Sequence, residues 1–196
     1  MNRTLRREKS SGAPLFWATL LLVVCLAGAM MTSESLKKQA AQSETKFCWV
    51  GWTDADIWSS VALNSAALHE DNVLPVMQVG SVDELNNFRA HLTANGLTAD
   101  GTYDEMPSFD AAVTLYDDDF FADKTLLLVY ITESSGSIRH RFIGFGKDGS
   151  ATVVQMQSVS GGDTLSTDMA GWLALIPVNR SDAAVSAPIT AVRTAQ

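Results

Sequence analysis

The residues with the most chemical promise lie in one run, Gly136-Ser137-Ile138-Arg139-His140-Arg141. Two guanidinium groups flank an imidazole. Side chains alternate between faces along a strand, so Arg139 and Arg141 share one face and His140 shares the other with Ile138 and Phe142. A pair of arginines on one face suits a carboxylate or another anion. The same pair could instead be neutralised by nearby acids, Glu133 or the run Asp117-Asp118-Asp119. His140, among apolar neighbours, reads first as a core histidine. As a base it needs a carboxylate, Glu133 or Asp168, and a nucleophile within hydrogen-bond reach.

The other reactive side chains exclude more than they offer. His69 and His91 fall at expected helix ends, where histidine is ordinary. No His-x-x-x-His or His-Glu-x-x-His spacing occurs, which removes the usual zinc hydrolase pattern. A Gly-x-Ser-x-Gly elbow, a Walker loop and a Gly-x-Gly-x-x-Gly fingerprint are all missing. No catalytic residue, metal ligand or cofactor is therefore assigned. The three consecutive aspartates invite a calcium reading, but an EF-hand loop takes ligands at alternate positions with a glycine at the sixth. Consecutive helical side chains fan out in steps of about 100°, so the run is expected to be a solvated face. Asp163 and Asp168, in the loop 160–168, leave a calcium reading open. Cys48 is the one cysteine beyond the leader and sits between Phe47 and Trp49. It is expected as a buried, inert thiol, with an intermolecular disulfide as the sharper alternative.

The elements that would position these residues follow from periodicity. Thr53 with Asp56 resembles a capping box, and Ile57, Val61 and Leu68 recur on one face, so a helix is expected over about 54–69. Trp49, Trp52 and Trp58 are read as core anchors, with a stacking surface for sugar or peptide as the alternative. The segment 73–79, VLPVMQV, is a short strand that Pro75 places at a sheet edge. Ser81 and Glu84 open a second helix with Val82, Leu85, Phe88 and Leu92 on its apolar face, and Asn95-Gly96 closes it. After a loop at 101–107, Ser108 opens a further helical stretch. After Phe120-Phe121 the period changes to two. Strands are expected at 125–132, 138–145, 151–159 and 172–178. A turn at 133–137 lets Gly136 take positive φ, and Asp148-Gly149 is a hairpin signal. The tail 181–196 is rich in Ala and Ser and is expected to fray. The fold class expected is α+β: an antiparallel meander of about four strands in chain order, with one further edge strand and the N-terminal helices packed on one face.

The N-terminus addresses location. Arg3, Arg6, Arg7 and Lys9 precede the uncharged stretch 15–31, LFWATLLLVVCLAGAMM. This suits a signal peptide cut after Ala27-Gly28-Ala29, or a membrane anchor near the lower length limit for crossing about 30 Å of hydrocarbon. Lipidation at Cys25 is a third reading, opposed by the branched Val24 before it. In each case the basic end stays in the cytoplasm and the rest is extracytoplasmic. Residues 32–46 are polar and read as a flexible tether, leaving 47–180 as a single domain. Residues 30–196 hold 10 basic and 21 acidic residues, which disfavours nucleic acid and anionic lipid as ligands.

Between 116 and 178 the pattern YDDDFF, LLLVY, SSGS followed by IRH, an Asp-Gly hairpin and MAGWLALIPV resembles a group of uncharacterised exported bacterial proteins. More distantly it is similar to the C-terminal domain of the PrcB-type protease-complex subunit. Members of that family carry a Gly-Gly-Tyr turn before the second strand, where this chain has Ser135-Gly136-Ser137 before Ile138. The resemblance implies a non-catalytic accessory that binds or stabilises a secreted protein partner, and it supplies no catalytic residue. The expectation is an exported or membrane-anchored binding module, with Arg139, Arg141 and His140 as its candidate binding residues. An extracytoplasmic hydrolase with an atypical site around His140 is the alternative.

Overall fold

The run TLLLVYIT cannot lie at the side of a sheet, because both of its faces are apolar. The computed structural model describes residues 38–53, 55–97, 102–103, 105–159, 168–182, 185 and 187–194. In it this run is the heart of strand β6 (Lys124–Glu133), and residues 126–129 and 131 have no solvent exposure. The leader, with Cys25 and the Ala27-Gly28-Ala29 site, and the loop aspartate Asp163 lie outside the described residues. Contacts divide the chain into residues 1–39 and a second unit, 40–196, whose structure follows.

The fold is mixed α+β, and its sheets are mostly antiparallel. Ten strands are described: β1 (Lys46–Val50), β2 (Val73–Leu74), β3 (Val76–Val79), β4 (Thr102–Tyr103), β5 (Met106–Pro107), β6, β7 (Arg139–Asp148), β8 (Ala151–Val159), β9 (Ala170–Asn179) and β10 (Ile189–Thr194). The first sheet has the order β1-β9-β6-β3 and the second β2-β10-β8-β7, while β4 and β5 form a separate ribbon. Among the described strands, the parallel pair is β10 with β8. The helices are α1 (residues 38–44), α2 (Val82–Ala94), α3 (Phe109–Ala112) and α4 (Asp118–Asp123).

Two apolar layers result. One lies between the sheets and holds Leu127, Val129, Ile131, Phe142, Val154, Met156, Trp172, Ile176 and Ala191. The other covers the far face of the first sheet, where Leu126, Leu128, Tyr130 and Leu173 meet Leu85, Phe88 and Leu92 of α2 together with Trp58 and Phe109. Strands β6 and β9 are buried on both sides because each layer uses one of their faces.

This arrangement corrects the expected meander. β6 and β7 do not pair; β6 pairs with β9 and β3. Of the expected consecutive pairings, the β7–β8 hairpin is present, turned at Gly149 with φ +56°. The link 134–138 carries the chain from one sheet to the other instead of folding it back. Gly136 N donates to Asp168 O at 2.9 Å, Ile138 N donates to Ser135 O, and Gly136 does not adopt positive φ. The tail is also corrected: Ile189–Thr194 is an interior strand of the second sheet, not a frayed end. Within the expected tether, 38–44 is helical and Lys46 already belongs to β1.

The helix expected over 54–69 is two short 3-10 turns, Ala55–Trp58 and Ser65–Ala67. Its apolar positions do reach the core, as Leu68 is buried and Ile57 and Val61 pack beside it. The break between them has a purpose. Asn64 is buried, and its side chain acts as a strand would. Its Nδ2 donates to Leu74 O at 2.8 Å and its Oδ1 accepts from Val76 N at 3.1 Å. It thereby serves the backbone on both sides of Pro75, where β2 and β3 lie at the edges of the two sheets, as the proline required.

Other local expectations hold. Ser81 Oγ accepts from Glu84 N at 3.1 Å, and Leu85, Phe88 and Leu92 are the buried residues of α2. The Glu84 carboxylate reaches Gly80 N, one residue before the cap. Gly96 follows the helix with φ +67°. The aspartate run is exposed, and its first member also caps α4, with Asp117 Oδ1 accepting from Phe120 N at 3.0 Å. Asp118 and Asp119 then sit in the first turn, at the positive end of the helix dipole.

Candidate functional site

Four strands carry inward-facing positions that are apolar for most of their length and turn polar at the same end of the inter-sheet layer. On β6 the series Leu127, Val129, Ile131 is followed by Glu133, and on β8 Val154 and Met156 are followed by Ser158. On β10 Ile189 and Ala191 are followed by Arg193, and on β7 Phe142 is preceded by His140. A period of two therefore delivers a carboxylate, a hydroxyl, a guanidinium and an imidazole to one place.

Glu133 Oε1 is the centre of the group. Ser158 Oγ donates to it at 3.2 Å, Arg193 Nη2 lies 3.3 Å away, and His140 Nε2 lies 3.4 Å away. The Arg193 guanidinium also donates to Thr132 O at 2.8 Å, which fixes it against the end of β6. The side chains of His140 and Glu133 are 2% and 7% exposed, so this is an interior cluster, not an open cleft. His140 Nε2 is buried and makes no hydrogen bond; its approach to Glu133 lacks hydrogen-bond geometry. Burial pushes the His140 imidazole down to about 4, and the positive charges of Arg193 and Arg139 push in the same direction. It is a neutral imidazole at pH 7.

The two arginines of the same strand have different surroundings. The Arg139 guanidinium stacks over Trp172, 5.2 Å from the ring centroid, and donates to Gly136 O. Arg141 is exposed, and its Nε and Nη2 both donate to Gln157 Oε1 across the hairpin, at 2.8 and 2.5 Å. The arginines thus do not form one shared patch. Arg139 closes the end of the inter-sheet layer and Arg141 stands on the outer sheet face.

Of the residues singled out in the sequence, His140 and Glu133 come together. Asp168 is exposed, and its described role is the backbone bond to Gly136. Ser158 and Arg193 were not singled out. Arg193 fell in a segment read as frayed from its composition, although ITAVRT has the β-branched content and alternation of a strand. Cys48 is fully buried, with its Sγ 3.7 Å from Leu173 O, and burial raises its thiol far above the ordinary range. An intermolecular disulfide would require this strand to leave the sheet.

The tryptophans divide. Trp58 is fully buried and packs 4.2 Å from the Tyr130 ring, whereas Trp52 is 41% exposed. Tyr130 Oη accepts from Thr53 N at 2.9 Å and so ties the tryptophan-rich segment to β6. Among the described residues, no group of three or more His, Cys, Asp or Glu side chains is placed to hold a metal ion. No protein-family model, curated protein or solved structure matches the chain.

Proposed function

We propose that this chain is an exported or membrane-anchored, non-catalytic binding module that stabilises a secreted protein partner. The observation that carries the reading is the enclosure of His140. Its side chain is 2% exposed, and the nearest carboxylate is shared with Ser158 and Arg193. A general base needs an open path to substrate and a pKa near the working pH, and this histidine has neither. The basic leader, the apolar stretch behind it and the PrcB-type pattern point the same way.

The hydrolase reading draws on one feature, the meeting of a serine, a histidine and a glutamate. Ser158 gives its proton to Glu133 and not to His140, so the imidazole does not stand between nucleophile and carboxylate as a relay requires. Cross-linking in intact cells, with the full chain as bait, tests the binding reading. A discrete extracytoplasmic partner is expected. Hydrolysis that disappears in both Ser158→Ala and His140→Gln, with no partner captured, would reverse the choice. A reporter active only in the cytoplasm, fused after Gln196, is expected to stay silent; a bright signal would remove the export part of the reading.

A further inference from the structure

The two sheets have four outer edges, and three are engaged by neighbouring chain. The edges at β2 and β3 are served by Leu63 and Asn64, through Leu63 N to Val76 O and the two Asn64 side-chain bonds. The edge at β1 carries a bridge from Trp49 to Ser108. The fourth, β7, is ten residues long. Its outward groups can be identified from its partner strand. Thr152 N donates to Pro188 O, on the side away from β7, so Lys147, directly opposite Thr152, turns its own N–H and C=O away from β8. Alternation gives Phe145 the same orientation. Ile143 O also faces out and accepts from Gln42 Nε2 of α1 at 2.5 Å. Among the described residues, that side-chain bond is the contact made to this outer backbone.

The chemistry along the strand is also distinctive. Three of the ten basic residues in 30–196, Arg139, Arg141 and Lys147, lie on β7, against one acid, Asp148. On the inner side Phe142 and Phe145 form a ring pair 5.0 Å apart at the lip of the inter-sheet layer, and Phe145 is only partly buried. Natural edges are often protected by a bulge and a charge, and β7 has a register shift between Phe142 and Gly144. The stretch from Ile143 to Lys147 nevertheless keeps three residues with outward backbone.

We propose that the outer edge of β7 accepts an extended acidic segment of a partner protein as an added strand. Acidic side chains of that segment lie beside Arg141 on the outer sheet face, and alternate apolar side chains lie beside Phe142 and Phe145 on the inner one. The Gln42 bond to Ile143 is what the incoming strand replaces. This rests on the binding-module reading and adds where the partner docks and its chemistry.

The test uses the full-length chain in detergent micelles with two synthetic peptides, one of alternating Glu and Val and one of alternating Lys and Val, read by amide hydrogen exchange. The Glu/Val peptide is expected to slow exchange at Phe145 and Lys147, and the Lys/Val peptide is not. Lys147→Pro removes an outward N–H without breaking the β7–β8 ladder, and Lys147→Ala keeps that N–H while removing the same charge. Proline is expected to bind the Glu/Val peptide roughly fivefold more weakly than alanine, the worth of one backbone hydrogen bond. Gln42→Ala is expected to bind it more tightly. Equal slowing by both peptides, no slowing by either, or equal binding by the two Lys147 variants overturns the proposal. Concentration-dependent protection without peptide assigns the edge to a second copy of the chain and also overturns it. A Lys147→Pro chain that cross-links the cellular partner as well as the parent does overturns the edge while leaving the binding-module reading intact.

Discussion

Replacing His140 should remove a pH dependence from the stability of the fold. An exposed histidine titrates near 6.5, and in the folded chain this one is pushed down to about 4 by burial and by Arg193 and Arg139. Above pH 6.5 the imidazole is neutral in both states and contributes no slope. Between 6.5 and about 4 the unfolded chain takes up a proton that the folded chain refuses, so stability falls as pH falls through this window. Each unit of difference corresponds to about 1.4 kcal/mol, which gives about 2 kcal/mol lost by pH 5 and about 3 kcal/mol in full. The side chain is 2% exposed, so solvent screening does not reduce this appreciably. Urea unfolding at pH 7 and pH 5 measures the effect. With a slope of roughly 2 kcal/mol per molar, the parent midpoint should drop by roughly 1 M more than that of His140→Gln. Every other residue is common to the two proteins, so the comparison isolates position 140. If parent and variant lose the same stability between pH 7 and 5, the enclosure of His140 does not govern its protonation and the argument fails.

Four further substitutions probe the architecture. Asn64→Ala leaves Leu74 O and Val76 N without the partner they have now, and should cost about 2–3 kcal/mol in a chemical denaturation comparison, because unsatisfied buried polar groups are expensive. Gly171→Ala places a Cβ 2.6 Å from Gly51 O and 2.9 Å from Tyr130 Oη, and should destabilise by about 1–3 kcal/mol or more, read as a lowered Tm. Arg141→Glu on the exposed sheet face should change stability by no more than about 0.5 kcal/mol. Arg139→Glu removes the guanidinium from the Trp172 face and its bond to Gly136 O, and should be clearly worse in the same melting experiment; equal behaviour of the two variants would contradict the division of roles between these arginines.

Local chemistry was legible in the sequence, and the joining of strands was not. Ser81, the apolar face of α2, Gly96 and the Asp148-Gly149 hairpin each depend on a few neighbouring residues, and each formed as read. Pairing depends on residues far apart. β6 finds its partners in β9 and β3, and nothing in the 134–138 link alone states that it crosses between sheets. A hint was present in the contrast between strands. β6 is apolar on both faces and must be central, while β7 alternates with Arg139 and Arg141 and suits an edge. The 54–69 segment shows the opposite limit. Its apolar spacing matched a helix, but Asn64 does more for Leu74 and Val76 than it would on a helix face, and tertiary hydrogen bonding prevailed over local periodicity. At the site, His140 and Glu133 were visible as chemistry. Arg193 is less visible, because ITAVRT lies in an Ala- and Ser-rich tail whose composition masks its alternation.

The placement of β10 sets the order in which the molecule can be assembled. Strand β1, near the start of the described residues, pairs with β9 more than a hundred positions later, and Ile189–Thr194 lies between β2 and β8. The first sheet cannot close before β9 is present, nor the second before β10. Until β10 is in place, β2 and β8 have no common neighbour and Glu133 has no Arg193. Pairings this distant in sequence also make folding slow, since long loops must close before their contacts form. β10 is thus the strand whose docking both completes the second sheet and brings Arg193 to the buried Glu133.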